Sequence, residues 1–179
     1  LTGAGRVFGA GQDIEEMRAG GESLSRERAS SPLPAPRTHE RPGSPSYREH
    51  LRKTYNPLVL QLRRIEKPVL AAINGACAGA SLGIALACDL RLASEDASFV
   101  VGFNGIGLAP DSGVSLLLPR LIGLGRAAEL TFSNAPIPAE QALEWGLVNH
   151  VAARDSLAAE ARAWAELLAE GPTGAYGLT

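Results

Sequence analysis

The stretch NGACAGASLGIALACD, residues 74–89, decides how this chain is read. It opens on small residues, passes into a run of alanine and leucine, and closes on an aspartate. ASLGIALACD has the length and alanine content of a buried helix, so the glycines before it form a turn that delivers a helix N-terminus. Upstream, PVLAAIN (68–74) is a short apolar run with the character of a buried strand. Downstream, LRLASEDASFVV (90–101) predicts two short strands around a polar turn, and GIGLAPDSGVSLLLPRLIG (105–123) a loop delivering a helix, with Asp111 or Ser112 near its start. GRAAELTFS, PAEQALEWGLV and SLAAEARAWAELLAEG read as further helices, with Trp145 and Trp164 on their apolar faces. Strands alternating with helices indicate an α/β protein.

Within the opening stretch, GASLG (79–83) fits G-x-S-x-G, and Asp111 and His150 follow in the chain order of a hydrolase triad. In that motif the first glycine comes directly off a strand, and the sharp turn lifts the serine clear of the sheet. Here Gly75, Ala76, Cys77 and Ala78 intervene, which puts Ser81 in a loop or first helical turn without the strained elbow. Asp111 follows a proline at a helix start, where free amides already stabilise a carboxylate. His150 reads as a surface residue. The serine hydrolase therefore stands as a remote alternative, with Ser81 a small residue rather than a nucleophile. GLGRAA (123–128) matches G-x-G-x-x-A but follows a helical pattern, so its glycines are expected to join two helices.

Length and composition narrow the rest. A chain of 179 residues, 45% hydrophobic and 20% charged, is long enough to bury a substantial core as one domain. A net charge of −2 makes no electrostatic case for nucleic acid or an anionic membrane, and no apolar run reaches the ~18 residues of a membrane span. Without a signal-peptide pattern, the cytoplasm is the expected location. Cys77 and Cys88 lie in apolar surroundings and read as buried thiols of a reducing compartment; no cluster has metal-ligand spacing. Residues 22–46, with prolines, serines and arginines and little to bury, read as a solvated or disordered insertion that includes His39. A short helix is expected from Asp13 up to Gly20. After the insertion, Leu51, Tyr55, Leu58, Leu62 and Ile65 recur at helical spacing, with Pro57 a candidate kink.

FGAGQD (8–13) and AGASLG (78–83) share one design: small residues around a tight turn, then a helix. Small side chains let a ligand approach the backbone, and a helix N-terminus offers unpaired N–H groups. Two such donors converging on one oxygen make an oxyanion hole. With these segments in hand, the chain resembles the crotonase superfamily, the enoyl-CoA hydratases and isomerases. LTGAGRVFGAGQDIEEM (1–17) is similar to the family's first oxyanion segment, and KPVLAAINGACAGASLGIALACDLRLASEDASF (67–99) to its signature region. Residues 105–123 and 127–151 are similar to the two blocks that follow. The resemblance implies a crotonase-like (ClpP/crotonase) spiral of ββα units, incomplete at both ends. It implies an acyl-CoA thioester as substrate, with coenzyme A as part of that substrate and no permanently bound cofactor. A trimer or hexamer of identical chains is implied for a complete protein.

Carried over by position, the oxyanion donors would be the backbone N–H groups of Gln12 and Ala80. Ala10, Gln12, Gly79 and Phe103 would contact substrate or coenzyme A. Hydratases of the family carry glutamates where this chain has Gly83 and Phe103, so water addition lacks its acid and base. The remaining acid is Asp111, at a place where several isomerases, including ring-epoxide isomerases acting on phenylacetyl-CoA derivatives, carry an aspartate. The resemblance thus implies an acyl-CoA isomerase in which Asp111 moves a proton on a thioester enolate. Enoyl-CoA hydratase and a non-catalytic acyl-CoA-binding fragment remain alternatives.

Overall fold

The computed structural model describes residues 1–12 and 47–178; the expected helix from Asp13 and the 22–46 insertion lie outside them. The order is β1 (Val7–Gly9), α1 (Tyr47–Lys53), α2 (Tyr55–Leu62), β2 (Leu70–Ile73), β3 (Ala76–Ala78), α3 (Ala80–Ala87), β4 (Leu90–Ser94) and β5 (Ser98–Val100). A 3₁₀ turn at Asn104–Ile106 leads to α4 (Val114–Ile122), α5 (Leu124–Ser133), β6 (Ile137–Pro138), α6 (Ala139–Glu144), β7 (His150–Ala152), α7 (Leu157–Ala169) and α8 (Thr173–Gly177).

The strands form two sheets, β2-β4-β7 and β1-β3-β5-β6, parallel throughout except for the antiparallel β5/β6 pair. The chain visits the first sheet, crosses to the second and then turns into a helix: β2, β3, α3, then β4, β5, α4. Leu1–Thr2 repeat the pattern, since Thr2 bridges Ala72 beside β2 before the chain enters β1. The polar turn between β4 and β5 accordingly does not close a hairpin. It hands the chain from one sheet to the other.

Burial on both sides explains the apolar residues that β2 and β4 carry in both phases, beside the buried Arg91 and Ser94 of β4. Ala71, Ile73 and Ala93 point into the main core with Leu82, Phe99, Leu118 and Leu147. Ala72, Leu92 and Ala152 point the other way, into a second cluster completed by Leu157 and Trp164 of α7. Trp145 packs against the main core with the Arg126 guanidinium 5.1 Å from its ring. Both tryptophans thus face apolar surroundings, as expected. Cys77 and Cys88 are free and buried. Burial pushes the Cys77 thiol well above its ordinary range and the Cys88 thiol up to about 11.

The helix expected over 47–65 differs from its pattern. It breaks at Thr54 into α1 and α2, because the Pro57 ring clashes with the carbonyl four residues earlier, that of Lys53. The break resets the phase: Val59 and Leu62 are buried, while Leu58 and Ile65 are 44% and 39% exposed. At the other joint, Gly123 ends α4 and begins α5 with φ +83°, so GLGRAA is the helix junction expected of it. No helix among the described residues is long and apolar enough to cross a membrane.

Candidate functional site

In the second sheet, β1, β3 and β5 are parallel neighbours, so their C-terminal ends open on one side. There the chain leaves β1 through Ala10–Gln12, β3 through Gly79 and β5 through Gly102, and these turns enclose a pocket of 70 Å³. Ala10, Gln12, Gly79, Ala80 and Phe103 all line it, with Ile106 and Leu108. The structure therefore gathers into one cavity five of the six positions singled out in the sequence. Phe103 is buried and gives the pocket an aromatic wall.

Small residues are required here for identifiable reasons. Gly11 has φ +89°, and a Cβ on it would stand 3.1 Å from the Ala78 carbonyl and 3.3 Å from the Ala80 nitrogen. Any side chain at 11 would crowd the first N–H of α3, which has no acceptor within the helix. Gly79, at φ 57° and ψ −128°, is the N-cap residue that turns β3 into α3; its N–H donates to the Val100 carbonyl at 3.2 Å.

Ser81 is the second residue of α3. Its hydroxyl accepts a hydrogen bond from the Gly11 N–H at 3.2 Å. His150 lies on β7, in the other sheet, with Nε2 2.7 Å from a Glu160 carboxylate oxygen and its ring 6.0 Å from that of Trp164. Ser112 Oγ donates to the Asp111 carboxylate at 2.7 Å. Ser81 and His150 thus have separate partners beside different sheets, and the hydrolase triad is not assembled. Ser112 and the Ser156 hydroxyl, which donates to Glu160 at 2.6 Å, belong to these same local clusters. Together the Ser156 hydroxyl and His150 hold the Glu160 carboxyl below its ordinary range.

Asp111 does not line the pocket, and the N-cap of α4 is Gly113. The Asp111 backbone carbonyl accepts the Val114 N–H at 2.8 Å, which ties the residue to the first turn of α4. The loop that carries Asp111 does meet the site helix. A Cβ on Gly83 would strike the Ser112 carbonyl, so Ser112 packs on α3 about one turn from Ala80. A glutamate at position 83 would collide with that loop.

Sequence reasoning missed two supports. Asn74 stitches the segment before β1 to the sheet: its Oδ1 accepts from the Gly3 N–H at 3.0 Å, and its Nδ2 donates to the Gly5 and Val7 carbonyls at 3.0 and 3.2 Å. Asn134, at the C-cap of α5, accepts the Gly102 N–H at 2.7 Å and so holds the Phe103 wall. Partners 32 and more residues apart leave no local signal. A larger groove, 540 Å³, runs between β2 and α7; alkyl side chains dominate it, with Arg154 and Arg162 among its lining. Among the described residues, no three His, Cys, Asp or Glu side chains cluster as metal ligands.

Paired sheets crossed by repeating ββα units, with a glycine-lined pocket over the strand ends, define a class found among proteins of known identity. The family described as enoyl-CoA hydratase/isomerase matches residues 38–178. The chain is 38% identical to the 1,2-epoxyphenylacetyl-CoA isomerase of Escherichia coli, over 99% of its own length and 61% of that protein. It is 36% identical to a 4-chlorobenzoyl coenzyme A dehalogenase of an Arthrobacter species, over 99% of its own length and 58% of that protein. A crystal structure of an enoyl-CoA hydratase/isomerase from Mycobacterium abscessus superposes with a TM-score of 0.82 at 39% identity, covering 97% of this chain and 60% of that one. The chain belongs to the enoyl-CoA hydratase/isomerase family, and its architecture is the crotonase fold, of which it spans a part.

Proposed function

We propose that this chain binds an acyl-CoA thioester with its carbonyl oxygen against the N–H groups of Ala80 and Gln12, and isomerises the acyl group through an enolate. The observation that carries the reading is the pocket itself, where both residues meet across a glycine that leaves the Ala80 N–H accessible. Charge developing on the thioester oxygen is what such donors stabilise, which acidifies the neighbouring C–H. Asp111 is the general acid/base of this reading: its carboxylate takes a proton from one carbon and returns it to another, shifting a double bond or opening an epoxide. Gly83 under the Ser112 carbonyl and Phe103 in the pocket wall stand where the hydratase reading needs carboxylates, which favours isomerisation over water addition. Phe103 also favours a ring-bearing acyl group, in keeping with the substrates named for the two relatives.

One observation supports a second reading, acyl-CoA binding without turnover: Asp111 already accepts from Ser112 and lies outside the pocket lining. Deuterium uptake at the α-carbon of phenylacetyl-CoA in heavy water separates the two. Enolate chemistry with Asp111 as base predicts uptake that falls by about 10²–10⁴ in Asp111→Asn. Uptake equal in both proteins would remove Asp111 from the mechanism, and binding without uptake in either would establish the second reading.

A further inference from the structure

The hydroxyl of Ser81 has a partner to which no local motif points. It sits at the second position of α3, directly after Ala80, and accepts the Gly11 N–H from a segment 70 residues away. A Cβ on Gly9 would strike the same hydroxyl, so β1 and the turn after it close directly onto Ser81. Gly11 in turn stands against the Ala78 carbonyl and the Ala80 nitrogen, with the left-handed φ of +89°. We propose that Ser81 is a positioning residue: its hydroxyl anchors the Ala10–Gly11 peptide so that the following peptide, which carries the Gln12 N–H, is aimed at the same point as the Ala80 N–H.

This inference rests on the oxyanion reading of the pocket and adds a division of labour to it. The Ala80 N–H is aimed by the helix it begins. The Gln12 N–H belongs to the peptide that follows Gly11, a glycine at φ +89° whose backbone has a wider choice of conformations than other residue types allow. Ser81 supplies the frame through the anchored N–H of that glycine. A hydroxyl serves better than a methyl because it accepts this hydrogen bond while remaining small enough to pass Gly9.

The test uses phenylacetyl-CoA carrying ¹³C at the thioester carbonyl, with the wild-type chain and Ser81→Ala. Alanine is a good helix former, so α3 is retained. In the infrared difference spectrum the bound wild-type carbonyl should absorb at lower frequency than the free probe, and Ser81→Ala should lose a large part of that shift. Removing an oxyanion donor costs about 10²–10³ in rate, so misaiming one should slow α-deuterium uptake about tenfold. Probe affinity should stay within about twofold, since the hydrogen bond to a neutral carbonyl is weak and gains most of its worth as charge develops on the oxygen in the transition state. The Gly11 amide should exchange faster in the variant. A variant with the wild-type carbonyl shift, uptake rate and Gly11 protection overturns the role of Ser81 and leaves the oxyanion reading intact. A wild-type carbonyl without any shift overturns that reading, and this inference with it. A wild-type shift without uptake removes only Asp111 and leaves the infrared comparison to decide Ser81.

Discussion

At its N-terminus α3 presents the Ala80 N–H to a glycine-lined pocket, whereas at its C-terminus side chains meet the polar groups on all sides. The Ala87 and Cys88 carbonyls accept from Arg63 and Arg91 at 3.4 and 2.7 Å. The Asp89 carboxylate accepts the Val69 N–H at 2.8 Å and the Arg63 guanidinium at 2.9 Å. Buried Arg91 also donates to the Leu147 carbonyl at 2.7 Å, tying the helix end to the turn that leads toward β7. Cationic groups suit this end, where the helix dipole is negative. The same helix is therefore closed by side chains at one end and left open, by their removal, at the other. Hydrogen-bonding capacity is satisfied at the end that ties α3 into the core; on the oxyanion reading it is withheld at the other end for a ligand.

Three changes would break or sharpen this contrast. Closing the open end should have the largest effect: Gly11→Val places a branched side chain in a left-handed position against the Ala80 nitrogen. On the oxyanion reading, α-deuterium uptake should fall by about 10²–10³, as for loss of one donor. Backbone strain should cost about 1–3 kcal/mol of stability as well. Uptake at the wild-type rate would place the reacting oxygen elsewhere. Opening the closed end should cost stability instead. Arg91→Leu leaves the buried Cys88 and Leu147 carbonyls without their donor, and at about 1–3 kcal/mol for each unsatisfied group the unfolding free energy from a urea titration should drop by roughly 2–6 kcal/mol. A loss below about 1 kcal/mol would mean that water replaces the guanidinium.

The smallest effect concerns Cys88, beside that arginine. Burial raises its thiol to about 11, so the thiolate is scarce at pH 8 and alkylation by iodoacetamide should be slow in the native chain and fast in urea. The sign follows from the raised value. The folded state holds the thiol proton more tightly, so this group's contribution is intact below its unfolded pKa, about 8.5, and is lost as pH climbs through about 11. Rapid alkylation of the folded protein at pH 8 would show that this end opens readily.

Much of this was legible in the chain because it is written in short-range patterns. PVLAAIN and ASLGIALACD announce a buried strand and helix by composition, and the glycine turns announce exposed N–H groups by the absence of side chains. The five pocket positions were named through the family resemblance, which itself rests on sequence blocks that contain such turns. The helix phase over 47–65 was misjudged because Pro57 acts through its clash with a carbonyl four residues back, which moves the break to Thr54 and turns Leu58 outward. Asn134, Asn74 and Arg91 gave no signal, since each acts on backbone groups far along the chain or across a turn.

The sequence by itself determined the class of elements, their order, the apolar character of β2 and β4, and the small residues that clear the pocket. These follow from local periodicity and from which backbone conformations each residue tolerates. Only the tertiary structure decided that β4 and β5 part into different sheets, that Ser81 accepts the Gly11 N–H, and that the Ser112 backbone packs against Gly83. Those outcomes depend on which distant backbone groups meet once two sheets and their helices have packed, and no local pattern encodes such a meeting.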